Sequence, residues 1–103
     1  MGVLRVAGTS CTTSLAGAIA WRVRQEGRVE VEAIGAGAVN QAVKAVAVAR
    51  TYVAPEGLDL WMTPHFVTVE LGDERRSAIR MEVWSRSTAA ASQPAELVLE
   101  EDA

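Results

Sequence analysis

Between Arg28 and Ala54 the chain changes its hydrophobic period once, and abruptly. "RVEVEAIG" alternates strictly, with Val29, Val31 and Ala33 on one side and Glu30 and Glu32 on the other. That pattern is a strand buried on one face. Gly35 and Gly37 break it, and from Ala38 to Ala54 the period becomes helical. Val39, Val43, Val46, Arg50 and Val53 form one row, and Ala42, Ala45 and Ala49 form a second. A helix apolar on two faces needs two partners, its own sheet and something else. The expectation is that a second copy of the chain packs on it, through Ala42, Val43, Ala45, Val46 and Ala49.

The flanking segments extend the same logic. "GVLRVA" (Gly2–Ala7) reads as a strand, and "GTSCTTS" after it as a loop in which Thr12 or Thr13 can cap a helix. Leu15, Ile19 and Val23, with Ala16 and Ala20 beside them, make one helical stripe that Gly27 closes. After Pro55 and Gly57, "LDLWMT" reads as a strand interrupted by Pro64, "FVTVEL" resumes the alternation, "GDERR" is a turn, and "SAIRMEVWSR" returns as a hairpin. The order β-α-β-α-β-β predicts an α/β (α+β) domain: one mixed sheet with both helices on one face and a right-handed first crossover.

Length and charge narrow the function. One domain fits in 103 residues, with little room for a deep cleft. Residues 1–86 read as that domain, and residues 87–103 as an acidic, mobile tail holding Glu96, Glu100, Glu101 and Asp102. Those four acids, taken from thirteen, leave nine against ten bases in the rest of the chain. The domain is therefore near neutral, and any nucleic-acid footprint is local. The single cysteine, Cys11, excludes an internal disulfide. The N-terminus is not read as a signal peptide and no apolar run is long enough for a membrane helix, so the expected compartment is the cytoplasm.

Candidate chemistry is sparse. "GAGAVN" resembles a dinucleotide fingerprint, but Asn40 stands where the third glycine belongs and the chain is too short for a doubly wound sheet. Free amides at that helix start, with Asn40, Gln41 and Lys44 one turn in, suit a phosphate. Cys11 and His65, the one thiol and the one imidazole, have no orienting third group for catalysis and are too few for a closed zinc site. They read as a loop thiol and a turn histidine. The expectation is a non-enzymatic chain with no cofactor and no metal. At the hairpin tip, Arg75 and Arg76 can reach a groove or a phosphate.

"AIGAGAVNQAVKAVAVAR" (Ala33–Arg50), with "SLAGAIA" before it and "YVAPEGLDL" and "DERRSAIRMEV" after it, resembles the stage V sporulation protein S family over residues 1–86. The resemblance implies an Alba-like fold, dimerisation, and nucleic-acid binding through the first loop, the start of the second helix and the terminal hairpin. By position these are Gly8 to Thr13; Gly35, Gly37, Asn40, Gln41 and Lys44; and Arg75 and Arg76. Members often carry a lysine in the first loop, where this chain has "AGTSCTTS"; Arg5, on the strand before it, keeps a basic position. The family name implies a part in spore formation. Two functions follow. One is a dimeric nucleic-acid-binding regulator, for DNA or RNA. The other is a protein–protein adaptor in a developmental or regulatory pathway. The near-neutral charge and the bare first loop favour the adaptor. Lys44 and the paired arginines favour nucleic acid, and the reading leans that way.

Overall fold

The computed structural model describes residues 2–88; the acidic tail from residue 89 onward lies outside the described residues. The elements are β1 (Leu4–Val6), α1 (Thr12–Glu26), β2 (Arg28–Ala33), α2 (Ala36–Val53), a 3₁₀ turn (Ala54–Glu56), β3 (Leu58–Leu71) and β4 (Glu74–Ser87). The sheet order is β1-β2-β4-β3. β1 runs parallel to β2, and the other pairings are antiparallel. This is the expected mixed sheet in the expected order.

The core lies between the sheet and the two helices. Val29, Val31 and Ala33 of β2 and Met81 and Val83 of β4 are buried beneath Ala16, Ile19, Ala20 and Val23 of α1 and the inner row of α2. That inner row corrects the sequence reading. Ala42, Ala45 and Ala49 are fully buried and Val46 nearly so, all within one chain, while Val43 is exposed. The second partner of α2 is therefore α1, whose own small residues let the two helices approach closely. Of the five residues assigned to a dimer contact, only Val43 remains on the surface.

Several boundaries move for local reasons. α1 starts at Thr12 with Cys11 as its N-cap, and no side chain caps it. Thr12 is already the first helical residue, and Gln41 Nε2 donates to its hydroxyl at 3.0 Å and to the Ser10 carbonyl at 2.8 Å. Gly27 closes α1 with φ of 80°, as expected. Pro64 does not interrupt β3, which continues unbroken from Leu58 to Leu71. β3 is the outer strand, where a residue lacking an N–H donor is tolerated. The turn contracts to Gly72 and Asp73, with Gly72 at φ of 62°, so Glu74, Arg75 and Arg76 belong to β4. β4 itself runs to Ser87, and the Thr88 N–H donates to the Gly57 carbonyl at 3.0 Å. Ser87 and Thr88, placed in the tail by the sequence reading, are thus tied to the sheet and to Gly57.

Candidate nucleic-acid interface

The register gathers three segments at one end of the molecule. Val6 pairs with Ala33, and Ala33 pairs with Ile79. The loop after β1, the start of α2 and the hairpin all leave from that end. Two contacts fasten the first two segments together. A Cβ built on Gly8 would lie 3.7 Å from Gly37, an ordinary contact between two bare backbones. Gln41 bridges α2 to Ser10 and Thr12. Beyond Ile79, β4 pairs only with β3 among the described residues, so Val67 to Ala78 form a two-stranded arm.

Each predicted side chain now has a place. Gly35 precedes α2 with φ of 92° and ψ of 156°, a conformation open essentially to glycine alone. Ala36 and Gly37, the first residues of α2, are exposed. Asn40 is exposed as well. Both N–H groups of the Gln41 amide serve the loop, so a phosphate would compete with Ser10 and Thr12 for them. α2 begins at Ala36, so Lys44 lies about two turns in rather than one. It is exposed and forms no ion pair among the described residues.

Arg75 and Arg76 are exposed on the arm, and strand alternation directs them to opposite faces. Arg75 falls on the helix side, like Lys44, and Nε of Arg75 meets Glu70 at 3.4 Å. Arg76 falls on the open side of the sheet, as does Arg5. Arg5 shares Glu32 with Arg80, at 3.4 Å and 2.6 Å respectively, and Glu32 is buried between them. With Glu70, Asp73 and Glu74 beside two arginines, the tip of the arm is not net basic. The predicted cations therefore flank the end of the sheet from both sides instead of forming one patch.

The remaining candidate chemistry stays apart. His65 lies within β3, paired with Arg80, not in a turn. Cys11 starts α1, and its Sγ lies 3.3 Å from the Thr13 hydroxyl. Hydrogen bonding from Ser14 and Thr13 lowers the thiol to about 6. Among the described residues no three His, Cys, Asp or Glu side chains are grouped to hold a metal ion, and no helix is long and apolar enough to cross a membrane. The sequence reading passed over one arrangement. Arg28, Trp84 and Trp61 stand in register across three strands on the open face of the sheet. The outward alternation of Trp61, Thr63 and His65 was the available signal.

The family model for Stage V sporulation protein S matches residues 2–86. Among solved structures, Alba from Thermoplasma volcanium is similar, with a TM-score of 0.56 at 14% sequence identity over 81% of this chain and 99% of that one. At that identity the likeness is one of fold.

Proposed function

Because the chain belongs to the Stage V sporulation protein S family and carries an Alba-like fold, we propose that it is a non-enzymatic, nucleic-acid-binding regulatory protein that acts as a homodimer. The observation that carries this reading is the convergence of the β1–α1 loop, the α2 start and the β3–β4 arm at one end of the sheet. An arm of five residue pairs beyond the body, Val67 to Leu71 against Glu74 to Ala78, reaches about 17 Å at the usual rise per residue. That is long enough to lie along a groove.

Lys44, Arg75 and Arg76 supply the phosphate contacts in this reading. Lys44 forms no ion pair among the described residues, and the Arg75–Glu70 pair is solvent-exposed and worth little, so a phosphate can displace it. Three contacts in each chain make six in a dimer. Neutralising six phosphates on a duplex gives a log–log salt slope of about −5. The test is Lys44→Ala with Arg75→Ala and Arg76→Ala, assayed on duplex DNA and RNA at low salt with folding checked by circular dichroism. A folded triple variant should lose most of its affinity. Wild-type affinity in that variant, or no nucleic-acid binding by the wild type, leaves the protein–protein adaptor as the better reading.

A further inference from the structure

The face of the sheet opposite the helices carries a ladder of planar groups. The Arg28 guanidinium of β2 lies 4.9 Å from the ring centre of Trp84 on β4. Trp84 in turn stacks on Trp61 of β3, with ring centres 6.0 Å apart and planes 14° from parallel. Guanidinium, indole and indole thus follow one another across three adjacent strands. The inner end of the ladder is closed by Arg28. The outer end is Trp61, on the edge strand, with no further strand beyond it among the described residues and 42% of its surface exposed.

The charges around Trp61 are partly paired, and Glu82, in register with Thr63 on the same face, forms no ion pair among the described residues. Asp59, the next residue on that face of β3, is held by Arg50 Nε at 2.8 Å, and Glu30 is held by Arg28 at 3.0 Å. Arg86, paired opposite Asp59, is exposed. Arg86 lies on one side of Trp61 along the strands and Glu82 on the other, so the surroundings suit a ligand held by its ring face with one phosphate toward Arg86. Along β3 the same row continues through Thr63 to His65, toward the end that bears the arm. Stacking on exposed aromatic rings is how unpaired bases are bound without sequence preference, because every base has a π-face.

We infer that Trp61 is a stacking site for an unpaired base, so that the protein binds single-stranded RNA or DNA across its open sheet face as well as duplex at its arm. The ligand class rests on the proposed function, but the surface and the residues are different. A duplex keeps its bases stacked and has none to offer Trp61.

The experiment is fluorescence anisotropy with two probes, a labelled oligouridylate of about a dozen nucleotides and a mixed-sequence duplex. Trp61→Ala, Trp61→Leu and Trp61→Phe are compared with wild type, each checked by circular dichroism. Trp61→Ala and Trp61→Leu should weaken oligouridylate binding by about 10-fold or more, and Trp61→Phe should recover most of it. Duplex affinity should not change. Trp61→Leu keeps apolar bulk without a ring face, so it separates stacking from a folding defect. The inference is overturned if wild type does not bind oligouridylate, if Trp61→Leu binds it like wild type, or if duplex binding falls in parallel. If oligouridylate binding depends on Trp61 but duplexes do not bind at all, the arm-centred reading fails and the stacking site stands.

Discussion

Gly35 holds the turn between β2 and α2 at φ of 92° and ψ of 156°. A Cβ there would meet nothing within 4 Å, so any cost of adding one is backbone conformation alone. Gly35→Ala should destabilise the fold by about 1–3 kcal/mol. That corresponds to a Tm loss of about 4–8 °C for each kcal/mol in a domain of this size. An unchanged melting curve would show that the turn relaxes. Asp59 gives a second test at this scale. Two hydrogen bonds from Arg50, at 2.8 and 3.2 Å, hold its carboxyl below the ordinary aspartate range. A depressed carboxylate adds stability above its unfolded pKa and loses it as the pH falls through the lower folded value. Asp59→Asn should therefore cost about 1 kcal/mol or less near neutral pH. The gap to wild type should close in strong acid, and urea midpoints across that range would show it. A gap of constant size would assign the loss to something other than charge.

At the scale of elements, the two periods of the sequence were enough to give α1, β2, α2 and the hairpin, because alternation and the 3.6-residue repeat follow directly from which side chains must leave water. Partners were less legible. The two rows of α2 showed that two surfaces would cover it, but nothing along the chain says that α1 is one of them; that depends on where the first crossover lays α1. The same limit hid the ladder of Arg28, Trp84 and Trp61, since only the pairing of β2, β4 and β3 brings residues so distant in sequence into one row. Pro64 misled for the opposite reason: its effect depends on β3 being an edge strand. The alanine row yields a clean prediction. Ala45 is fully buried between helices and sheet, so Ala45→Leu overpacks the core and should cost about 1–3 kcal/mol in urea unfolding. Were Ala45 at a subunit contact instead, the substitution would change the oligomeric state and leave the stability of the separate chain intact.

At the scale of the whole molecule, the question is what one chain lacks. It presents three predicted phosphate contacts, on two sides of one sheet end, in a domain whose bases exceed its acids by only one. Contacts so few and so divided bind a duplex weakly. A two-fold axis doubles them and sets a second arm beside the first. The alanine row cannot make that axis, since α1 already covers it. Outward on the helix side are Trp21 of α1, Val43 and Tyr52 of α2, and Phe66 at the root of the arm, with Val43 42% and Phe66 79% exposed. Four apolar side chains left open on that side, of which Val43 and Phe66 stand nearest the start of α2 and the arm, give a second copy something to cover, and a C2 contact uses the same patch twice. Light scattering at micromolar concentration should therefore report twice the chain mass of 11.0 kDa. Val43→Asp should return a folded monomer by placing a charge at the centre of the contact. The salt dependence of duplex binding should fall with it, from a slope of about −5 toward about −3, as six phosphates become three. If wild type scatters as a single chain, the dimer is wrong. If Val43→Asp stays dimeric, the axis lies elsewhere on the surface. If the variant is monomeric but keeps the full slope, all six phosphates are met by one chain, and the assignment to Lys44, Arg75 and Arg76 is too narrow.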